Sequence, residues 1–335
     1  LPLKELSFLP EPIRSVYLEK IQNLKLHGTF GAEAFLQRSS CEIVAEYVSN
    51  DMLRSILAAQ TFVHPGLPGT AFEMIYMRTP EVGPEATGWG AYKGGMGELT
   101  QRLYKKAINL GVEFHFNHRI GALLTDGDMA NSVMFENKPI KAEIFIFGTD
   151  FPTFQKIRYG TWENDLRRHH VYGNANLHVL LHDLPDLCKE IGEGRCGIGR
   201  KMTSSMTFTP SWRCLKNSVK QVQTGQWLDQ NVLSVGIPTL IDPQRGDGRH
   251  HLMCIHPDYA PLYPVSGQVK WEQQDKKKYA ASLMKEMDHY CPGFTKNIAD
   301  WRLVISSDMR EKYGSTGIHC FHGDMAWPEV LDARL

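Results

Sequence analysis

Three glycines ahead of a helical pattern are the first residues whose type and spacing suit chemistry. Gly94, Gly95 and Gly97 stand in the run Gly94-Gly95-Met96-Gly97-Glu98-Leu99. Glycine has no Cβ, so its backbone can come close to a phosphate or a flavin. A helix starting there presents unpaired N–H groups and the positive end of its dipole. The spacing is not the dinucleotide fingerprint. That needs Gly-x-Gly-x-x-Gly between a strand and a helix, with an acidic residue about 20 positions on. Gly192, Gly194 and Gly197 have that spacing, but no clear strand or helix pattern brackets them.

The histidines raise a metal site as a second chemistry. His178 and His182 are four apart, the spacing of zinc ligands on a helix. Leu177, Val179, Leu180 and Leu181 make the segment a strand, however, where residues four apart lie ~13 Å from each other. One ion could not bridge them. His250, His251 and His256 lack the Cys or carboxylate spacing of a metal site. His319 and His322 flank Cys320, but no third group orients them as a nucleophile pair. No metal is expected. Gly-x-Ser-x-Gly, the Walker loop and His-Glu-x-x-His are all missing from the sequence.

The elements that would position these residues follow from periodicity. Residues 11–26 read as a helix, with Pro12 suited to its first turn. Ser39 and Glu42 form a capping box ahead of Ile43, Val44, Tyr47 and Val48. A second helix runs from Asp51 to Ala59. Loops rich in Pro and Gly flank a short apolar piece, Ala71 to Met77. The glycine run opens a helix to Asn109. Strands follow at Val112–Phe116, Arg119–Leu124, Ser132–Glu136 and Ala142–Phe147, and the last breaks at Gly148-Thr149-Asp150. Residues 161–170 are polar and helical in pattern. Strands at Asn176–Leu181, Val232–Pro238, His251–His256 and Trp301–Ile305 alternate with helices at Ser211–Thr224, Trp271–Tyr290 and Asp308–Tyr313. The fold class is α/β (α+β).

Composition narrows the function classes. The 335 residues are 42% hydrophobic, enough for a sizeable core. Lys plus Arg equals Asp plus Glu at 37 each, so no strong field favours nucleic acid. Seven cysteines without Cys-x-x-Cys spacing suit reduced thiols in a cytoplasmic or mitochondrial-matrix setting. No apolar run reaches the ~18 residues of a membrane span. The sequence opens Leu1-Pro2 without Met, which leads us to expect a fragment or a processed product.

Several phrases together carry a resemblance. Tyr92-Lys93-Gly94-Gly95-Met96-Gly97-Glu98-Leu99-Thr100 resembles the glycine–glycine motif of phytoene-desaturase-like flavoproteins. Ile144 to Pro152 resembles their strand that ends in a small-residue turn. Val232 to Thr239, His250 to Pro261, Tyr290 to Phe294 and Ile318 to Met325 match the same group in the same order. The branch is the one containing pyridine-nucleotide-disulphide-oxidoreductase-domain proteins, within the flavin amine oxidase superfamily.

This resemblance implies an interleaved two-domain flavoprotein with FAD as cofactor. Residues 1–92 would be the helical part of a substrate domain. Residues 93–152 would be part of the FAD-binding domain, a helix plus a β-meander. Residues 153–314 would return to the substrate domain and its mixed sheet, and 315–335 would head back towards FAD. Gly94, Gly95 and Gly97 match the loop and helix at the cofactor, Ile120 the residue whose backbone faces the adenine, and Gly148 and Thr149 the turn near the flavin. The family's N-terminal fingerprint is absent from these residues. The implied reaction is hydride transfer from an apolar or amine-type small molecule to flavin. His322, Tyr259 and His256 are the candidate polar groups beside it, with a structural role the preferred reading of each. The implied partners are a small apolar substrate and either a second copy or complementing FAD-domain segments. Peripheral membrane contact is compatible with this. The alternative is a non-catalytic ligand-binding or protein-interaction module.

Overall fold

The computed structural model describes residues 37–61, 63–76, 92–127, 129–160, 172–185, 205–264 and 271–314. In chain order, the first helices are α1 (Ser40–Tyr47), α2 (Asp51–Ala58), α3 (Thr70–Tyr76) and α4 (Met96–Asn109). Strands β1 (Ala122–Asp126), β2 (Met129–Phe135) and β3 (Lys138–Lys141) follow, then α5 (Phe151–Tyr159). Next come β4 (Tyr172–Gly173), β5 (Ala175–Leu181), β6 (Ser205–Phe208), α6 (Trp212–Gln223), β7 (Leu233–Gly236) and the single turn α7 (Pro238–Ile241). The chain continues through β8 (His251–Pro257), β9 (Ala260–Pro261), α8 (Gln273–Tyr290), β10 (Ile298–Ile305) and α9 (Ser306–Tyr313). Among the described residues no helix is long and apolar enough to cross a membrane.

The chain divides into two compact units, and the second interrupts the first. Unit 1 comprises Leu1–Ala91, His169–Asp308 and Ile318–Leu335, and unit 2 comprises Tyr92–Arg168 and Met309–Gly317. Mixed helices and antiparallel sheets make the chain an α+β protein, as its patterns imply.

Unit 1 is built on a five-stranded antiparallel sheet in the order β10-β5-β8-β7-β6. Strict alternation on β5 buries Ala175, Leu177, Val179 and Leu181 on one face. Val235 pairs with Ile255, which pairs with Leu177, and this carries the apolar face across the sheet. Helix α8 covers that face. Its Tyr279, Ala280, Leu283, Met284 and Met287 recur at helical spacing and join Met253, Ile255, Leu303 and Ile305 in one core. Trp227 stacks on Trp271 at 5.7 Å, and both rings abut Tyr279.

A second cluster of unit 1 joins α1 to α6 through Cys41, Val44, Ala58, Ala59, Trp212, Leu215 and Val232. The capping box at its start is present. Ser39 Oγ accepts from the Glu42 amide at 3.1 Å, and Glu42 Oε2 accepts from the Ser39 amide at 2.8 Å. The apolar piece between the two Pro/Gly loops is helical, as α3.

Unit 2 departs most from its sequence pattern. The expected helix is α4, and a turn at Asp126–Gly127 joins β1 to β2. Val112–Phe116 and Ala142–Phe147, however, are not strands. Both have apolar strand patterns, but neither has a ladder partner among the described residues, and a strand needs a neighbour's hydrogen bonds. Phe114 and Phe116 instead pack their rings on Tyr104 of α4, at 4.6 and 5.9 Å. The third strand of the meander is β3, ahead of the expected position. It contains Pro139 and, among the described residues, pairs only with β2, which is the edge placement a proline requires. The expected helices at 11–26 and 161–170 lie outside the described residues.

Candidate functional site

The glycine run is in a backbone state that only glycine adopts readily. Gly94 has φ +84, and a Cβ there would lie 2.8 Å from Glu98 Cβ. Gly95 is the N-cap of α4, buried, with φ 78 and ψ 179. That region of the map is essentially closed to side chains. Among the described residues no side chain caps α4, and of its first amides that of Glu98 turns back to the Gly95 carbonyl at 3.1 Å. Gly97 differs, because a Cβ there would meet nothing within 4 Å. Alanine would suit that helical position better by about 0.5–1 kcal/mol, so the fold itself does not require glycine there.

The other unit 2 candidates are Ile120, Gly148 and Thr149. Ile120 is half-buried and immediately precedes Gly121, whose amide donates to the Met134 carbonyl at 2.8 Å. Gly148 has open space at its Cα, and Thr149 Oγ1 reaches the Asp150 carbonyl at 3.3 Å. Asp150 then caps α5 by accepting from the Thr153 amide at 3.0 Å.

His256 and Tyr259 belong to unit 1, on or after β8, and bond different carbonyls. His256 Nδ1 donates to the Ala175 carbonyl at 2.9 Å. A carbonyl only accepts, so Nδ1 holds the proton and Nε2 is left as an acceptor. Burial lowers the pKa of His256 and keeps the ring neutral. Tyr259 points elsewhere. It is buried, and its hydroxyl donates to the Val222 carbonyl at 3.2 Å. Burial raises its pKa, which suits an anchor and not an acid at neutral pH. His322 lies outside the described residues, as do Gly192, Gly194 and Gly197.

His256 has company on the face of the sheet turned away from α8. Ser234 is its cross-strand partner on β7. Cys254 pairs with His178, and His178 pairs with Arg302 on β10. His178 Nδ1 lies 3.1 Å from Cys254 Sγ. Burial and then Arg302 lower the pKa of His178, while burial raises that of the Cys254 thiol. The pair is therefore a neutral thiol beside a neutral imidazole, without the charge separation of a catalytic Cys–His couple. His182 does not share a site with His178; its ring lies 5.3 Å from that of His250, which bonds Asp247 at 2.6 Å. Among the described residues no group of three His, Cys, Asp or Glu side chains is placed to hold a metal ion.

Three buried polar pairs escape a reading by motif. His64 Nδ1 accepts from the Gly66 amide at 3.1 Å, so its Nε2 donates to Ser218 Oγ at 2.8 Å. Ser218 in turn donates to the Leu215 carbonyl at 2.8 Å. The protons run the wrong way for an activated serine, and burial lowers His64 to about 4. A separation of 154 positions left no local signal of this pair. Glu286 meets Asn231 across 55 positions. It was legible only as a charged residue on the apolar stripe of α8, three positions after Leu283.

The third pair is Asp258 and Glu73, at 4% and 0% exposure. Ser234 Oγ donates to Asp258 Oδ1 at 2.8 Å. Burial, with a contribution from Glu73, holds the Asp258 pKa well above the carboxylate range, against the Ser234 bond, which lowers it. The folded chain therefore binds this proton more tightly than the unfolded chain. Stability is fullest below the ordinary Asp range and falls as pH rises from there towards the folded pKa. Asp258→Asn keeps the acceptor for Ser234 and removes the titration. Its urea midpoint relative to the parent should rise between pH 5 and pH 8. An equal difference at both pH values would show that Asp258 ionises normally.

Comparison finds relatives that are named for an oxidoreductase domain. The chain is similar to the pyridine nucleotide-disulfide oxidoreductase domain-containing proteins, as the motif resemblance implies. The protein 2 of that name from Rattus norvegicus is 26% identical over 330 residues, covering 93% of this chain and 57% of the relative. Its counterpart from Mus musculus is 18% identical over the same shares. The chain thus spans little more than half the length of the curated relatives it matches. No family model matches it. Two solved structures align at low similarity. An oxidoreductase from Methanosarcina mazei gives a TM-score of 0.49 at 11% identity, covering 90% of this chain and 62% of that one. Cyclohexylamine oxidase from Brevibacterium oxydans gives 0.43 at 10%, covering 88% and 61%. At those TM-scores they add nothing to the argument.

Proposed function

We propose that the chain is part of a FAD-dependent oxidoreductase of the desaturase or amine-oxidase kind, acting on an apolar or amine-type small molecule. The observation that carries this reading is the buried Gly95 at φ 78 and ψ 179, opening an uncapped helix in a chain similar over 93% of its length to its relatives. The open space at Gly97 and Gly148 fits the reading as well, because a close-lying cofactor needs positions without a side chain. When bound, FAD supplies the hydride acceptor. The glycine loop and the first turn of α4 would hold it, with Ile120, Gly148 and Thr149 as further contacts. Apolar walls would exclude water.

The test is the protein at the length of its relatives, purified and reconstituted with FAD. It should show stoichiometric flavin absorbance that bleaches with substrate. A colourless protein after reconstitution would overturn the reading.

A second reading has its own observation. Unit 2 exposes Met96, Leu103, Leu110, Val112, Phe116, Ile144 and Ile146. This number of exposed apolar side chains suits an interface. It would take either complementing FAD-domain segments or, in a non-catalytic module, another partner. Stoichiometric FAD binding and turnover would exclude the module.

A further inference from the structure

The apolar face of α8 contains one carboxyl group. Glu286 is 8% exposed and lies on the same stripe as Tyr279, Leu283 and Met287. It faces the segment Leu228–Asn231, which leads into β7. Glu286 Oε1 accepts from the Asn231 amide at 2.5 Å, and Oε2 accepts from Asn231 Nδ2 at 2.8 Å. The same Nδ2 reaches the Leu228 carbonyl at 3.4 Å, which closes the turn on itself. Asn231 Oδ1 is buried with no hydrogen-bond partner among the described residues, and so are Tyr279 OH and Trp227 Nε1.

This arrangement suits only the ionised carboxylate, which accepts at both oxygens. A protonated carboxyl must donate once, and Asn231 turns a donor towards it. The unpartnered Oδ1 on the same carboxamide is the acceptor that a protonated Glu286 needs. Rotating the carboxamide by a half turn would exchange the two atoms.

We propose that Glu286 and Asn231 form a proton-driven switch, in which ionised Glu286 holds the carboxamide nitrogen and protonated Glu286 holds the carboxamide oxygen. Rotation exchanges the long Nδ2 contact with the Leu228 carbonyl for a bond from the protonated carboxyl, and ionisation of the buried carboxyl loosens the segment. That segment is one wall of a cavity of about 300 Å³, which Leu228, Asp229 and Gln230 share with Cys214, Ser218 and Gln221 of α6. The switch would therefore set how open the cavity is.

The surroundings place the transition in a useful range. Burial raises Glu286 to about 7, with Asp229 adding to it and the two Asn231 bonds opposing it. The other groups whose charge bears on it are Cys214 from α6 and Tyr279 and Tyr290 of α8. None of the four is a cation, so none holds the carboxylate ionised. Below the ordinary Glu range both folded and unfolded chains are protonated. Between that range and about 7 the folded chain alone keeps the proton, and stability falls as pH rises.

The experiment follows hydrogen exchange in residues 227–232 of the whole chain from pH 6 to pH 8, corrected for intrinsic rates. Because opening returns Glu286 to its ordinary pKa, exchange should fall about tenfold as pH falls through the transition. Glu286→Gln should exchange at the slow, low-pH level throughout. A variant with the same pH profile as the parent would overturn the proposal. Should Glu286→Gln fail to fold, carboxyl ¹³C titration of Glu286 in the parent decides. A midpoint in the ordinary Glu range overturns the switch. The Asn231 side-chain ¹⁵N resonance should move at the same midpoint as the carboxyl. Titration of the carboxyl without that movement would overturn the rotation.

Discussion

Replacing Gly95 with Val should abolish flavin retention in the protein at the length of its relatives, while leaving the chain folded. Gly95 sits at φ 78 and ψ 179, where a β-branched residue clashes with its own backbone. The strain is on the order of 1–3 kcal/mol, small enough for unit 1 to survive. Relief comes from rotating φ to negative values, which redirects the first turn of α4 and the donors it presents. Loss of bound FAD by absorbance, with an unchanged far-UV spectrum, is the expected outcome. Full flavin content in the variant would show that the loop serves only to start the helix. Gly111→Ala is a useful control. Gly111 also has positive φ, but it lies at the other end of α4, with nothing within 4 Å of its Cβ position.

Leu283→Ala should destabilise unit 1 by about 2–5 kcal/mol, the usual cost of truncating a fully buried leucine. Leu283 is 0% exposed at the centre of the α8 stripe, against the sheet. Its neighbours Leu177, Leu233, Met253 and Ile255 are also fully buried, and strands tied by ladders on both sides cannot collapse far into the gap. The cost should therefore fall in the upper half of that range. Urea unfolding followed by tryptophan fluorescence would measure it, because Trp227 and Trp271 belong to or pack against the same core. A loss under 1 kcal/mol would mean that α8 docks loosely. Leu103→Ala is the contrast, since Leu103 on α4 is 62% exposed and should cost little.

The sequence was most informative where periodicity and burial agree. Helix α8 and strand β5 each have one apolar face and one clear period, and both stand where the pattern puts them. Ser39 with Glu42 marked the start of α1 to the residue. The failures share a physical cause. Val112–Phe116 and Ala142–Phe147 have the composition of strands, but ladder formation depends on a neighbour that local pattern cannot supply. Lys138-Pro139-Ile140-Lys141 has the reverse problem, since a proline hides an edge strand. Among the candidate residues, the positive φ of Gly94 and Gly95 was legible because it is intrinsic to their residue type. The roles of His256 and Tyr259 were not, because they rest on the carbonyls of Ala175 and Val222, which are distant in sequence. The Glu286–Asn231 and Asp258–Glu73 pairs were hidden for the same reason.

The strand order of unit 1 also bears on how the chain is made. β5 is central to the core, yet its two neighbours are β8 and β10, which begin at His251 and Ile298. A ribosome adding ~5–20 residues per second needs on the order of several seconds to reach β8 after β5 has emerged. Throughout that interval Leu177, Val179 and Leu181 are synthesised but unpaired, and the second neighbour comes later still. Nascent chains stalled between these points should be held by chaperones that bind extended apolar segments, and release should track the emergence of β8.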